Sequence, residues 1–548
     1  MSPSSHVKNA FFTLTLVCSL VMAERAHAAT ISQTRSVTLY EPVGAVWDIE
    51  HTPVFIDRLK LAKNTGFNAV WLVVLWNELD PVPNASGEIP LIDCSLSANE
   101  SQYQCALERA LQAIHQEGMD VFISLNYASA AASNEFKYAA QHETLAFGQG
   151  PAKLYRYGRH IARLVTRNGL SQSARFLMHD EGILGPYASL HAYPDVQQSF
   201  RDYLYGLNPS LTYWNSRWGL TGTQALSNWS QVKTFDLKSA PIDHPQLQDH
   251  IAWVNWVFRQ TFGSGAFESN IRQIIPEATV GLHATYFALI NPSAPASSAP
   301  QTPISSLSTL NFVSFPYYDS GTNNFGLSFQ QYVDNAGVFF QNRQLLVGEL
   351  GSIDCQTPGD CVEADDQPYK ISLRVKRRQA IFLTQAPTLL AAESIGYNIW
   401  NLNEFPFENR EGSFGVYQAT PGNSNTANNP VFKPAACALR TVQGSTSPTL
   451  CIASGGVNNQ YSPRALWLSG RGFQAGAQIR LSNEAGTYVY PALISPIVGS
   501  STSLSFQLDD ATIAQLGCGT NSTNCAIVAE ASHPQSGTWS NKVLIQVN

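Results

Sequence analysis

The sequence has little charge and lacks a strongly basic segment. Lys, Arg, Asp and Glu make up 13% of its 548 residues, and the formal net charge is −7. Because a polyanion such as DNA or RNA is bound through clustered basic side chains, these features argue against a nucleic-acid partner. The apolar share of 44% indicates a globular chain, and the aromatic share of 11% favours a neutral, hydroxyl-rich ligand.

Three further motifs are missing from the sequence. There is no Gly-x-Gly-x-x-Gly turn after an early strand, which counts against a nucleotide-binding sheet. There is no Cys-x-x-Cys pair with histidine spacing, which counts against a zinc site. No apolar run after the N-terminal one is long enough to span a membrane. We therefore expect no cofactor, no metal and no membrane insertion once the N-terminal segment has been removed.

The N-terminal residues have the pattern of a secretory signal peptide. His6 and Lys8 precede an apolar run from about Phe11 to Met22, and Ala26 and Ala28 are small residues at the positions that precede cleavage. A membrane anchor is the alternative, but the run is too short to span a bilayer comfortably. The pattern predicts a signal peptide over residues 1–28 and a secreted or periplasmic protein.

The cysteines indicate disulfides. Of the nine cysteines, Cys18 lies in the predicted signal peptide, which leaves eight. An even number in an exported chain favours disulfide bonds. Other connectivities remain open, but pairing between neighbours closes the shortest loops at the lowest entropic cost. The predicted pairs are Cys94–Cys105, Cys355–Cys361, Cys437–Cys451 and Cys518–Cys525.

From about residue 50 the chain repeats an amphipathic helix, a glycine, an apolar strand and a polar strand end. In the first such unit a helix ends at Gly66 and the strand Ala69–Val74 follows. Counting a first strand at about Val43–Trp47 gives eight strand–helix units. This alternation predicts an α/β fold, a (β/α)8 TIM barrel over residues 29–430. A doubly wound open sheet is the alternative.

The end of the chain has a different pattern. The last long helix is predicted from Ile371 to about Ala386, because Pro387 should stop it. Beyond Pro430 helical periodicity disappears, and short β-rich segments alternate with Gly, Ser, Asn and Pro. We interpret residues 431–548 as a small all-β, immunoglobulin-like sandwich. The alternation around Trp467 predicts that its side chain packs in the core rather than binding sugar.

Two glutamates follow apolar strands that lie far apart in the sequence. Glu181 comes after the run Ala174–Met178, and Glu349 comes after the run Gln344–Gly348. Such strands are buried in parallel sheets, and the carboxyl ends of barrel strands carry the chemistry of barrel enzymes. One such glutamate alone is more often an ion-pair partner. Two carboxyl groups facing each other across a cleft are what cleavage of a glycosidic bond requires.

The sequence places one glutamate at the end of the fourth predicted strand, one at the end of the seventh, and Trp400 at the end of the eighth. This arrangement resembles the pattern of the clan A glycoside hydrolases. The segments Ser199–Leu204 and Thr212–Gly219 resemble a stretch after strand four of bacterial β-galactosidases of that clan. The stretch Ala465–Gly476 resembles the opening of an IPT/TIG-type immunoglobulin-like domain. The first resemblance implies a retaining mechanism with Glu181 as general acid/base and Glu349 as nucleophile.

The resemblance also implies where a sugar would bind. Trp400 would form the floor of the site, because the CH face of a sugar packs on an indole. Tyr317 or Tyr318 would donate a hydrogen bond to the nucleophile. The other residues at strand ends that are expected to contact substrate are Trp76, Asn126, His179, Asp180, His283 and Asn401. Asp180 departs from the asparagine that the family has before its acid/base, and its charge is expected to shift sugar preference or the pH optimum.

The sequence thus predicts an exported retaining β-glycosidase that acts on an oligo- or polysaccharide. A catalytically silent carbohydrate-binding barrel is the first alternative, and a barrel hydrolase with a non-sugar substrate is the second. Individual residues have alternatives as well. His283 taken alone fits a hydrogen-bonded structural histidine, and Trp214 and Trp218 fit either the core or a sugar-binding surface.

Overall fold

The structure is a computed structural model that describes most of the chain. The described residues are 30–39, 52–75, 87–99, 102–126, 150–177, 194–234, 244–261, 265–283, 310–319, 327–340, 343–353, 361–362, 370–402, 404, 414–418, 431–519 and 525–547. The predicted signal peptide lies outside them. Within these ranges no helix is both long enough and apolar enough to cross a bilayer.

Eight parallel strands close into a barrel in which the last strand pairs with the first. The strands are β1 (Arg35–Thr38), β2 (Ala69–Leu75), β3 (Asp120–Asn126), β4 (Ala174–Leu177), β5 (Thr279–His283), β6 (Phe312–Asp319), β7 (Gln344–Ser352) and β10 (Gly396–Ile399). The predicted barrel is confirmed, and the open-sheet alternative is wrong because this sheet has no edge. The first strand begins at Arg35, earlier in the chain than the predicted Val43–Trp47, which lies outside the described residues.

Helices surround the barrel. They are α1 (Thr52–Thr65), α2 (Tyr103–Glu117), α3 (Gly150–Arg167), α4 (Pro194–Leu207), α5 (Leu211–Arg217), α6 (Pro245–Thr261), α7 (Ala266–Arg272), α8 (Phe329–Phe339) and α9 (Leu373–Ala392). Short 3-10 helices occupy Ile31–Gln33, Ser97–Asn99, Gly222–Gln224 and Trp229–Gln231.

Apolar side chains from the helices and from the outward faces of the strands form one continuous core. Trp214 and Trp218 are buried in this core, so they are packing residues and not a sugar-binding surface. A second, smaller cluster fills the inside of the barrel and includes Trp71, Phe122 and Phe312. The two layers together hold the strand ends at fixed positions, which is what a site at the barrel mouth needs.

The helix α9 does not stop at Pro387, contrary to the sequence-based prediction. It runs from Leu373 to Ala392 with this proline inside it. Proline removes one backbone hydrogen bond and disfavours a helix interior. The side chains of Leu383, Ala386 and Leu390 are nevertheless buried in the barrel core. Tertiary packing therefore outweighs the local preference of the proline.

A further helix, α10 (Pro434–Val442), follows the barrel where no helix was expected. Its Ala435, Ala436 and Leu439 belong to the barrel core, whereas its Cys437 and Ala438 pack with Cys451 and Ala453 at the start of the C-terminal β-rich part, so this short helix contacts both parts of the molecule. Two small antiparallel strand pairs lie before it: β8 (Cys361–Val362) with β9 (Lys370–Ile371), and β11 (Tyr417–Gln418) with β12 (Val431–Phe432).

The C-terminal residues form two antiparallel sheets that enclose their own apolar core. The first sheet contains, in spatial order, β13 (Cys451–Asn458), β14 (Arg464–Arg471), β17 (Ser503–Leu508) and β16 (Ile497–Ser500). The second sheet contains β15 (Ile479–Asn483), β18 (Ala526–Ala531) and β19 (Val543–Gln546). A short helix, α11 (Asp510–Gln515), lies between β17 and β18 in the chain. Two packed antiparallel sheets are consistent with the expected immunoglobulin-like sandwich.

Trp467 corrects one prediction about this sandwich. Leu466 and Leu468 are fully buried, whereas Trp467 between them is 45% exposed. The alternating pattern of β14 has the expected period of two, but the tryptophan lies on the solvent side of the sheet. Periodicity alone did not reveal which of the two faces is covered.

Three of the predicted disulfides are present, namely Cys94–Cys105, Cys437–Cys451 and Cys518–Cys525. Cys361 is also disulfide-bonded, and Cys355, its predicted partner, lies outside the described residues. The bond between Cys437 and Cys451 joins α10, which packs on the barrel, to β13 of the sandwich. The two parts of the molecule are thus covalently linked beside their connection.

Candidate active site

An irregularity in β7 aims Glu349 into the mouth of the barrel. Along the pairing of β6 with β7, Phe315 is opposite Val347 and the next pair is Pro316 with Glu349, so Gly348 is an extra residue. A β-bulge of this kind changes the face on which the following side chain lies. Without it, strand alternation would place Glu349 on the same face as Val347, which packs against the helices.

The extra residue has to be a glycine. A Cβ atom at Gly348 would lie 1.8 Å from Oγ of Ser314 and 2.8 Å from Nδ1 of His283. Both distances are far below van der Waals contact, so any side chain here would displace the two groups behind the bulge. The backbone of Gly348 is also held in place, because Nδ2 of Asn398 donates hydrogen bonds to its carbonyl oxygen and to Oγ1 of Thr38, both at 2.7 Å.

Glu349 is 5% exposed and is contacted on both carboxylate oxygens. The hydroxyl of Tyr318 on β6 donates a hydrogen bond of 2.5 Å to Oε2. On the other side, Nε2 of His283 on β5 lies 3.5 Å from Oε1, and the histidine side chain is fully buried. Groups from three neighbouring strands therefore converge at the carboxyl ends of the strands.

The histidine is oriented by a further contact. Its Nδ1 lies 2.7 Å from Oγ of Ser314, and its ring packs edge-on against Trp71 at a centroid distance of 5.5 Å. A carboxylate can only accept hydrogen bonds, so the favourable tautomer of His283 carries its proton on Nε2, facing Glu349. Nδ1 then accepts from the Ser314 hydroxyl. This histidine therefore has a structural partner and a polar atom directed at the carboxylate.

Of the two tyrosines predicted to donate to the nucleophile, Tyr318 contacts Glu349 and Tyr317 does not. The ring of Tyr317 lies on the opposite face of β6, where it packs against Phe329, Tyr332 and Phe382 of the helical layer. Successive residues of a strand point to opposite faces, so only one of the two tyrosines can face the barrel interior. Two adjacent tyrosines carry no signal of which one that is.

Trp400 directly follows the eighth barrel strand, whose last residue, Ile399, pairs with Leu350 of β7. Its backbone N–H donates to the carbonyl oxygen of Leu350 at 3.1 Å, and the peptide bond that joins it to Asn401 is cis. Its partly buried side chain and that of Tyr318 both pack against a small apolar cluster that includes Phe414. Trp400 is thus near the tyrosine that contacts the carboxylate. Asn401 is buried, and its Oδ1 accepts a hydrogen bond of 2.6 Å from the N–H of Leu402.

The other predicted site residues lie at or beyond the limits of the described ranges. Asn126 is the last residue of β3, and its side chain is not among those described. The residues that lie outside the described ranges are Trp76, His179, Asp180 and Glu181. The pairing of Glu181 with Glu349 therefore stays a prediction.

Two site residues, Ser314 and Asn398, were not predicted from the sequence. Each is a fully buried polar residue within an otherwise largely apolar barrel strand. A buried polar side chain has to be hydrogen-bonded, so a lone serine or asparagine inside such a strand is a signal that was available in the sequence.

A buried ion pair anchors the segment that follows Trp400. Nζ of Lys433 donates to Oε1 of Glu404 at 2.8 Å and to the carbonyl oxygen of Gly415 at 2.5 Å. The lysine side chain is fully buried, and the glutamate side chain is 7% exposed. Burial lowers the pKa of Lys433 from its usual value of 10.5, and the neighbouring Glu404 carboxylate opposes part of that shift.

Backbone hydrogen bonds complete this anchor. The N–H of Glu404 donates to Tyr417, the N–H of Val416 donates to Asn401, and the N–H of Tyr417 donates to Leu402. Lys433 lies directly before α10, so its side chain connects this helix both to Glu404 and to the backbone of Gly415. Among the described residues, no group of three or more His, Cys, Asp and Glu side chains is arranged to hold a metal ion.

No protein-family model and no curated protein matches the sequence. Solved structures of similar shape include an exo-β-1,4-mannosidase from an Opitutaceae bacterium at 13% identity, with 76% of this chain and 61% of that chain covered and a TM-score of 0.43. A β-galactosidase from Rahnella has 12% identity, covers 76% of this chain and 57% of that chain, and has a TM-score of 0.48.

The catalytic domain of a β-amylase from Paenibacillus polymyxa has 13% identity, covers 75% of this chain and 98% of that chain, and has a TM-score of 0.49. The present chain therefore spans less than two thirds of the length of the mannosidase and of the galactosidase. Since all three TM-scores are below 0.5, the function has to be inferred from the residues of this chain.

Proposed function

We propose that the protein is an exported retaining β-glycosidase that hydrolyses O-glycosidic bonds in an oligo- or polysaccharide. The observation that carries this proposal is the carboxylate of Glu349, which a β-bulge directs into the barrel mouth between Tyr318 and His283. Packing alone does not require a carboxylate there, because burying a charge is costly unless it is compensated by hydrogen bonds. Such a carboxylate at the carboxyl end of a barrel strand is suited to chemistry.

Glu349 is assigned the role of nucleophile. Its oxygen attacks the anomeric carbon, the bond from that carbon to the leaving oxygen breaks, and a glycosyl ester with Glu349 forms. The hydroxyl of Tyr318 donates to the carboxylate and holds it in one orientation, with Nε2 of His283 3.5 Å from the other oxygen, so that little entropy is lost when the ester forms. A water molecule then attacks the same carbon and releases Glu349.

Glu181 is assigned the role of general acid and then base. It protonates the leaving oxygen in the first step and accepts a proton from water in the second. In sequence it follows Leu177, the last residue of β4, by four positions, and the Leu177 side chain lies inside the barrel. Retention of configuration requires the two carboxyl groups to be about 5–5.5 Å apart, and a crystal structure resolving both would test this. A separation of roughly 6.5 Å or more would favour inversion instead.

The decisive experiment uses a panel of chromogenic aryl β-glycosides with the wild type, Glu349→Gln, Glu181→Gln and the control Glu277→Gln. Glu277 is exposed just before β5, at the opposite end of the barrel from Glu349. We expect Glu349→Gln to lower kcat by about a thousandfold or more, as loss of a nucleophile does in other hydrolases, and Glu277→Gln to behave as the wild type.

Two further results separate the proposal from its alternatives. Added azide should restore turnover to Glu349→Ala by attacking the anomeric carbon in place of the nucleophile, and this single displacement should give a glycosyl azide of inverted configuration. The product of the wild type should instead keep the anomeric configuration of the substrate. A wild type that binds glycans but cleaves none of them would make the protein a silent carbohydrate-binding barrel. Normal activity of Glu349→Gln would remove Glu349 from the mechanism.

A further inference from the structure

The solvent-facing side of the four-stranded sheet in the C-terminal sandwich carries one exposed tryptophan. Trp467 is at the centre of β14, 45% exposed. Among the residues that the structure describes, its indole has neither a hydrogen-bond partner nor a stacking partner. A large aromatic side chain that remains in water at the middle of a sheet does not contribute to the core and points to a binding role.

The neighbour of Trp467 on β13 is a glycine, and this determines where the indole lies. A Cβ atom at Gly456 would lie 2.5 Å from Cζ2, 2.7 Å from Cε2 and 2.8 Å from Nε1 of the ring. The indole therefore leans across the neighbouring strand over the position where a side chain would otherwise stand. Glycine weakens a strand, so its presence in mid-strand marks a place where another group approaches closely.

The residues around the indole are uncharged, and most of them are polar or small, apart from Ile497, which is 74% exposed. On its own row, Trp467 pairs with Gly456 and Ser505, and Ser505 pairs with Ile497. The row on one side contains Asn458, Ala465 and Gln507, and the row on the other side contains Ser454, Ser469, Ser503 and Ser500. The three rows thus provide hydroxyl and amide groups around one indole, with no charged side chain.

We propose that this face is a carbohydrate-binding site in which a sugar ring packs on Trp467 and its hydroxyl groups bond to the surrounding serine, asparagine and glutamine side chains. An indole offers an apolar surface of the size of one pyranose ring, and the neighbouring groups can both donate and accept hydrogen bonds. The ligand class is a neutral polysaccharide.

Charge selects this class over other partners. A nucleic acid or an acidic polysaccharide would need basic side chains on the face, and a basic peptide would need acidic ones. The three rows contain neither. The site is on a different part of the chain from Glu349, so its occupancy and the proposed hydrolysis can be measured independently of each other.

The test is affinity electrophoresis of the full chain in native gels that contain arabinoxylan, mixed-linkage β-glucan, galactomannan or pectic galactan. The variants are Trp467→Ala, Gly456→Ala and, as a matched control, Trp256→Ala, because Trp256 is a similarly exposed tryptophan on α6 of the barrel, at 41%. We expect at least one polysaccharide to retard the wild type and Trp256→Ala. Trp467→Ala should lose about tenfold or more in apparent affinity, equivalent to about 1.4 kcal/mol.

Gly456→Ala keeps the tryptophan but displaces its ring, so this variant should also be retarded less than the wild type. Thermal unfolding of each variant would show that the fold is retained. Cleavage of a small soluble glycoside by Trp467→Ala should equal that of the wild type, which keeps this test separate from the proposed catalysis. Retardation of the wild type by none of the four polysaccharides, or equal retardation of Trp467→Ala, would overturn the proposal. If light scattering showed a dimer for the wild type and a monomer for Trp467→Ala, while retardation stayed the same, the face would be a contact between copies of the chain.

Discussion

A single hydroxyl group of Tyr318 contacts the carboxylate of Glu349, so Tyr318→Phe tests the site with the removal of one atom. A hydrogen bond to a charged group contributes about 1.5–3 kcal/mol, which corresponds to roughly a ten- to hundredfold change in rate. We expect kcat/KM on an aryl glycoside to fall by about that factor. Tyr317→Phe is the matched control, because Tyr317 packs on the helical side. Equal losses in the two variants would contradict the assignment of Tyr318.

Gly348 has a testable steric role. In Gly348→Ala the new methyl group would overlap Ser314 and crowd His283, and overpacking of a buried site typically costs about 1–3 kcal/mol. The matched control is Gly337→Ala in α8, where a Cβ would meet nothing within 4 Å and alanine favours the helix by about 0.5–1 kcal/mol. Thermal unfolding should show a lower midpoint for the first variant and an equal or higher one for the second. A neutral Gly348→Ala would mean that the bulge tolerates a side chain.

At the scale of secondary-structure elements, the buried pair Lys433–Glu404 connects α10 to the segment after the eighth barrel strand. Lys433→Met would leave Glu404 buried without its partner, which typically costs about 3–5 kcal/mol. The double variant Lys433→Met with Glu404→Leu removes both charges and should recover most of that loss. Denaturant unfolding of the two single variants and the double variant measures the coupling. Additive losses would show that the two charges do not interact.

The same pair makes a prediction about pH. Burial lowers the pKa of Lys433 below its usual 10.5, so between the folded-state pKa and 10.5 the unfolded chain binds more protons than the folded one. The contribution of Lys433 to stability therefore rises with pH through that window. Stability of the wild type minus that of Lys433→Met should increase as the pH approaches 10.5, measured by denaturant unfolding at a series of pH values. A constant or falling difference would contradict the direction of the shift.

The elements also show what the sequence can predict. Continuous apolar runs identify strands such as Ala69–Leu75, because a strand buried on both faces needs apolar side chains at every position. The sequence does not reveal the bulge at Gly348, because the glycine reflects contacts with Ser314 and His283, which lie on other strands. It also does not show that α9 continues through Pro387 or that α10 covers the barrel, since both depend on packing partners distant in sequence.

At the scale of the whole molecule, the barrel depends on residues beyond its last strand. A chain ending at Pro430 would lack α10 and Lys433, so we expect it to be poorly folded and inactive. A chain ending at Thr449, with Cys437→Ala to remove the unpaired thiol, keeps the helix and the ion pair and should retain cleavage of a small aryl glycoside. Circular dichroism and activity of the two purified chains make the comparison. Full activity of the shorter chain would show that α10 is dispensable.

The disulfide between Cys437 and Cys451 also affects how the molecule responds to proteolysis. A protease that cuts the connection between α10 and β13 leaves the barrel and the sandwich joined through the sulfur atoms, because both cysteines lie outside the cut segment. After such a cut the two parts would migrate as one species without reductant and as two with it. Because the protein is expected to be exported, where disulfides persist, the Trp467 face would remain attached to the barrel after the backbone between them has been cut.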